Sequence, residues 1–128
     1  MQPFVGDLEG LVDRSDDFRR VIHTGAHSQL VTMTLQPGEE IGLETHDVDQ
    51  LFIVVKGVLE ARLDGARHEV RGHGLVLVPA GTVHNFTNIG PALVRLVTVY
   101  SPPQHPDGTV HRTRADAMRA EAEELQPA

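Results

Sequence analysis

Glu44, His46, Gln50 and His84 are the side chains best suited to chemistry in this sequence, and they lie in two short segments dense in apolar residues and turn formers. Glu44 and His46 are two apart, so on an extended chain they share a face. The four could meet around one metal ion. Two imidazoles, a carboxylate and an amide make a mixed nitrogen and oxygen set. Such a set suits Fe, Mn, Co, Ni, Cu or Zn better than Ca or Mg. Glu44, His46 and His84 have the composition of the two-His-one-carboxylate triad, which leaves positions open for water, dioxygen or substrate. Gln50 would add a neutral ligand through its amide oxygen. The only ligand charge is that of Glu44, so a divalent ion would stay electron-poor and able to act as a Lewis acid. The same residues could instead line an empty pocket, bonded to one another and to water.

Other polar residues carry weaker claims. His105 and His111 flank Pro106-Asp107-Gly108, a tight turn. This stretch reads as a surface loop, the alternative being a loop that closes over the site and adds polar groups. Tyr100 joins these two histidines as a candidate general base, although Phe52, Phe86 and Tyr100 fit core positions better. Asp47 and Asp49 read as solvated loop residues, and His23, His27, His68 and His73 as surface. Arg95 lies mid-strand among apolar residues. It could bind an anionic substrate or emerge on the outer face and pair with a carboxylate.

The elements that must position these residues are strands. Residues 19–24, 28–36, 50–56, 58–63, 67–71, 75–78, 83–89 and 92–100 are short, rich in β-formers and separated by Gly and Pro turns. Along the third of these, Gln50, Phe52 and Val54 take one face and Leu51, Ile53 and Val55 the other. Both faces are apolar, as in a strand buried on both sides. Asp64-Gly65 marks a hairpin. No helix interrupts the strands, which indicates an all-β barrel or sandwich. Residues 1–18 form an N-terminal arm with one helical turn, 19–101 the barrel, and 102–128 a loop and C-terminal helix. Thr113 and Asp116 look like an N-cap pair for that helix. Ala115, Met118, Ala122 and Leu125 give it an apolar stripe, and Pro127 ends it.

The chain has 128 residues, enough for one domain with a real core. It has no cysteine, hence no disulfide and no thiolate metal site. A formal net charge of −7 argues against a nucleic-acid partner. The N-terminus lacks the basic and apolar regions of a secretory signal, and no apolar stretch is long enough for a membrane span. The expectation is a soluble cytoplasmic protein.

The two segments resemble the paired motifs of the cupin superfamily, small β-barrels that often carry a metal. The first family motif is Gly, five residues, His-x-His, three or four residues, Glu, six residues, Gly. Gly38 to Gly57 keeps that spacing, with Glu44 and His46 at the two His positions and Gln50 at the Glu position. Gly72, Pro79, Gly81, His84 and Asn88 fit the second motif. The resemblance implies a double-stranded β-helix, or jelly roll, with Glu44, His46, Gln50 and His84 as metal ligands and Asn88 as a strand-end hydrogen-bonder. The ligand types are also those of the zinc site of phosphomannose isomerase, with Glu44 and Gln50 in exchanged places.

Two classes of function follow from the resemblance. One is a metal-dependent enzyme on a small polar or oxygenated molecule, an isomerase or lyase using Lewis-acid chemistry, or a dioxygenase. The other is a non-enzymatic small-molecule-binding or sensor protein with an empty or vestigial site. The surplus apolar surface of the strands at 50 and 75 must be covered by a second sheet layer or another subunit, and cupins commonly dimerise. A homodimer is therefore expected.

Overall fold

The computed structural model describes residues 2–124. Helix α1 (Leu8–Val12) precedes nine strands: β1 (Arg19–Thr24), β2 (Gln29–Leu35), β3 (Asp49–Lys56), β4 (Val58–Leu63), β5 (Ala66–Arg71), β6 (Leu75–Val78), β7 (His84–Asn88), β8 (Val94–Ser101) and β9 (Val110–His111). Helix α2 (Arg114–Glu124) follows. The strands form an antiparallel sheet ordered β6-β3-β8-β2-β1-β9 and a smaller one ordered β5-β4-β7. This is the expected double-stranded β-helix with a short C-terminal helix.

The two sheets face each other across one apolar core. Period-two alternation sends Phe52 and Val54 of β3, Val31, Met33 and Leu35 of β2, and Leu96 of β8 inward. From the smaller sheet come Leu59, Ala61 and Phe86. The Phe52 and Phe86 rings lie 4.0 Å apart between centroids and join the sheets. Truncating either to Ala would cost about 3–5 kcal/mol.

The outer face of the large sheet is only partly covered. Val12 of α1 packs there on Val55, Val97 and Leu30. Arg95 emerges on this face, as one of the two sequence readings had it. It donates to the carbonyls of Val12 at 3.0 Å and Ser15 at 3.1 Å and to Asp16 at 2.6 Å. Lys56 binds Asp13 at 2.8 Å, so these cations tie the N-terminal segment down. The outer side of β3 is only partly buried, with Leu51 and Ile53 intermediate. The helix stops short of β6, and Leu75 and Leu77 remain 66% and 60% exposed.

The C-terminal segment differs from its sequence reading. His111 pairs with Arg19, so β9 extends the large sheet beyond β1. The loop before it is not a free surface loop. Gln29, 1% exposed, accepts from the backbone N–H groups of Gln104 and His105 at 3.2 and 3.0 Å. It also donates to the His105 carbonyl at 2.8 Å. Three hydrogen bonds from one buried amide therefore draw the loop over the end of the barrel. In α2, Thr113 Oγ1 accepts from the Asp116 N–H at 3.1 Å, as an N-cap does. The buried residue of that helix is Ala117, whereas Met118 is 41% exposed. The proposed stripe is thus one position off, and its Leu125 and the terminating Pro127 lie outside the described residues. Among the described residues no helix is long and apolar enough to cross a membrane.

Candidate metal centre

Residues 38–44 run beside β7 without forming a long strand. Ile41 donates to Phe86 and Asn88 to Glu39, both at 2.9 Å. Glu44 and His84 then exchange two backbone hydrogen bonds, both 2.9 Å. Between these pairs the register slips by one residue, a β-bulge at Gly42-Leu43. Gly42 adopts φ +119, a conformation that L side chains rarely take. Its N–H donates to the Asn85 side chain at 2.9 Å. The slip turns Leu43 outward, 70% exposed, and sends Glu44 to the same face as His84.

From Glu44 the chain alternates, so His46, Val48 and Gln50 follow onto the inner side. The connection to the second segment is fastened there. Gly81 donates to the His46 carbonyl at 2.8 Å, and Asp49 accepts from the Ala80 N–H at 2.9 Å. Asp49, exposed at the start of β3, is therefore also a structural tie.

One ligand atom from each of Glu44, His46 and His84 lies within 4.8 Å of the others. Glu44 Oε2 is 2.5 Å from His46 Nε2, and the two imidazole centroids are 5.5 Å apart. His84 Nδ1 lies 2.9 Å from the Thr82 carbonyl. That acceptor fixes the proton on Nδ1 and leaves the Nε2 lone pair available. Burial raises the pKa of the Glu44 carboxyl, but the His46 hydrogen bond and the charges of His46, Arg19 and His84 outweigh it and lower the net value. Glu44 is therefore ionised at neutral pH, as a ligand must be.

Gln50 is 3% exposed. Its Nε2 donates to Thr98 Oγ1 at 3.1 Å, and its buried Oε1 has no hydrogen-bond partner among the described residues. An orphaned carbonyl oxygen in a barrel interior costs about 1–3 kcal/mol unless something binds it. The donor set thus fits a divalent transition ion: a carboxylate and two imidazoles converge, and a buried amide oxygen lacks a partner.

The wider site holds residues that the sequence reading undervalued. Tyr100, 2% exposed, stands between His46 and His105, with ring centroids 6.3 and 5.1 Å away. Burial pushes the Tyr100 phenol up to about 12, and its oxygen meets the Arg19 and Gln50 side chains, so it stays protonated at neutral pH and is not a base. Burial also pushes the His105 imidazole down to about 3, and its Nε2 has no partner among the described residues. His111 follows His105 at 6.4 Å. Arg19, which the sequence reading missed, is 2% exposed on the inner face of β1. Its signal was modest: it precedes the inward Val21 by two positions. Outside this interior, His27, His68 and His73 are exposed, and His23 stacks on Phe4 at 5.6 Å. A depression of about 630 Å³ lined by Thr45, His46, Asp47, Ala80, Gly81 and Gln104 opens over His46.

This barrel and these motifs are those of a cupin. The Cupin domain family matches residues 31–100, and the chain belongs to that family. Cupins commonly bind divalent metals, and here Glu44, His46 and His84 form a possible site.

Among its relatives is YrkC of Bacillus subtilis, 41% identical over 128 residues, spanning 94% of this chain and 68% of that protein. The polyketide synthase CurC of Streptomyces cyaneus is 31% identical over 110 residues, spanning 80% and 71%. The crystal structure of BH2720 from Bacillus halodurans superposes with TM-score 0.90 at 41% identity, covering 92% of this chain and 95% of that one.

Proposed function

We propose that this protein is a metal-dependent cupin enzyme acting on a small oxygenated molecule, with Glu44, His46, His84 and Gln50 holding the ion. The observation that carries this reading is the convergence of three ligand atoms within 4.8 Å in the interior that also buries the orphaned Gln50 Oε1. A bound divalent ion would supply Lewis-acid polarisation of a substrate carbonyl or hydroxyl.

The chain's own residues then define what surrounds that chemistry. Glu44 supplies the negative charge of the site, and His84 is oriented by the Thr82 carbonyl. Tyr100 remains protonated at neutral pH and donates a hydrogen bond to substrate oxygen. His105 remains neutral and offers an acceptor on the other side of Tyr100. Gln29 holds the His105 loop against the barrel end and limits access of water. A donor and an acceptor side by side would hold and orient a substrate oxygen against the ion, which suits Lewis-acid chemistry of the isomerase or lyase type. The likeness to the polyketide synthase CurC supports an oxygenated carbon skeleton as substrate class. We further infer a homodimer joined through the exposed Leu75 and Leu77 face, because these side chains lie side by side on one strand.

Elemental analysis of untagged, chelator-free protein beside His46→Ala and His84→Ala variants tests the site. Near-stoichiometric metal in the parent and little in the variants is expected, and zinc would favour Lewis-acid chemistry over oxygenase chemistry. A parent that holds no metal and takes up none of Fe, Mn, Ni or Zn would sink the enzyme reading in favour of a binding or sensor cupin.

A further inference from the structure

Arg19 is a fully charged guanidinium in a barrel interior, 2% exposed. Burying such a charge costs several kcal/mol unless hydrogen bonds and counter-charge offset it. Among the described residues its polar partners are Tyr100, His111 and the Glu121 carboxylate. Nη1 donates to His111 Nδ1 at 3.3 Å and reaches Glu121 Oε1 only at 3.5 Å. Nε has no partner. The guanidinium carbon also sits 5.4 Å from the Phe18 ring centroid, a contact that adds no acceptor.

The surroundings connect this charge to the candidate metal centre. From Arg19 the contacts run to His111, then His105, Tyr100 and His46. Two more orphaned polar atoms, His105 Nε2 and Gln50 Oε1, lie in the same interior. The Arg19 charge acts on Glu44, Tyr100 and His105 together. It therefore lies within electrostatic reach of the candidate metal centre, and a side-chain hydrogen bond joins it to Tyr100.

We propose that Arg19 is a specificity-determining residue that selects a carboxylate substrate. A small oxygenated carboxylic acid would set its carboxylate against the Arg19 Nε–H, which has no partner among the described residues, beside the Tyr100 hydroxyl. Its carbonyl or hydroxyl oxygen would then point towards Glu44, His46 and His84. Guanidinium and carboxylate match as paired planar groups, and a desolvated charge-assisted pair discriminates strongly against an uncharged analogue. This inference rests on reading the barrel interior as a metal-dependent site, and its test separates the two.

The probes are pyruvate and its uncharged analogue hydroxyacetone. Each is titrated by calorimetry into the zinc-loaded and the metal-free protein, for the parent, Arg19→Lys and Arg19→Met, with zinc content measured in parallel. The parent is expected to bind pyruvate at least about tenfold more tightly than hydroxyacetone. Arg19→Met should lose that preference at unchanged zinc content, and Arg19→Lys should retain part of it.

The Nε–Hε resonance of Arg19, assigned by its disappearance in Arg19→Lys, should shift with pyruvate and not with hydroxyacetone. This readout uses the parent protein and survives a failure of Arg19→Met to fold. Equal affinity for both probes in the parent overturns the proposal, as does an Arg19 resonance indifferent to pyruvate. If zinc does not bind but the Arg19-dependent carboxylate preference persists, the metal reading fails and the anion site stands.

Discussion

Glu44 and His84 are a directly hydrogen-bonded antiparallel pair, each donating its N–H to the other's carbonyl at 2.9 Å. Side chains of such a pair leave the same face of the sheet. Two candidate ligands from segments forty residues apart are thereby aligned by backbone alone. The pairing depends on the one-residue slip at Gly42-Leu43, without which Leu43 would face inward and Glu44 outward.

Gly42→Ala should therefore affect both stability and metal uptake. A Cβ at φ +119 is strained and would meet the Arg114 guanidinium at 3.2 Å. A loss of about 1–3 kcal/mol is expected, together with a fall in bound metal. Urea denaturation and elemental analysis read the two effects. A variant with parental stability and full metal would show that the bulge tolerates an L residue.

The Gln50 amide is oriented by its 3.1 Å bond to Thr98. Thr98→Val keeps shape and removes the acceptor that fixes which end of the amide faces the ligands. Metal affinity should fall about tenfold or more, while stability changes by about 1 kcal/mol. A chelator competition titration with unaltered affinity would remove Gln50 from the ligand set.

Asn88 is a structural member of the second motif. Its side chain donates to the carbonyls of Leu35 at 3.0 Å and Ala92 at 2.8 Å and accepts from the Gly90 N–H at 2.9 Å. These bonds join β7 to the ends of β2 and to the turn before β8. Asn88→Ala leaves three backbone groups without this partner and should cost about 2–4 kcal/mol in urea denaturation. Metal content of the folded fraction should not change.

His105 makes stability depend on pH. Its folded-state value is pushed down to about 3, chiefly by burial, whereas the unfolded imidazole titrates near about 6.5. Between those values the unfolded chain takes up a proton that the folded chain refuses. Stability is thus fully present above about pH 6.5 and declines as pH falls towards 3, by at most about 1.4 kcal/mol per pH unit. Thermal melts of the metal-free protein at pH 7, 6 and 5 should show a steeper fall than those of His105→Gln. Parallel curves for the two proteins would contradict this assignment.

Leu75 and Leu77 are 66% and 60% exposed on neighbouring outward positions of β6. Burial in a dimer would remove apolar surface worth about 25 cal/mol per Å². Light scattering should give a dimer mass at micromolar parent protein and a monomer mass for Leu77→Lys. A monomeric parent would exclude the homodimer.

The sequence alone determined the strand pattern and the barrel class, and it nominated Glu44, His46, Gln50 and His84 for one candidate site. Period-two alternation and Gly or Pro turns are local signals, and the spacing of the two segments survives in the chain as written. Tertiary structure decided the rest. Whether Glu44 or Leu43 faces inward depends on a bulge opposite β7, a pairing invisible along one strand. The burial of Arg19 and of His105 was illegible because it comes from distant partners: β9 beside β1, and the Gln29 amide beneath the loop. For Leu75 and Leu77 the sequence left open a second sheet layer or another subunit as cover, because apolar run length cannot say which face another layer covers.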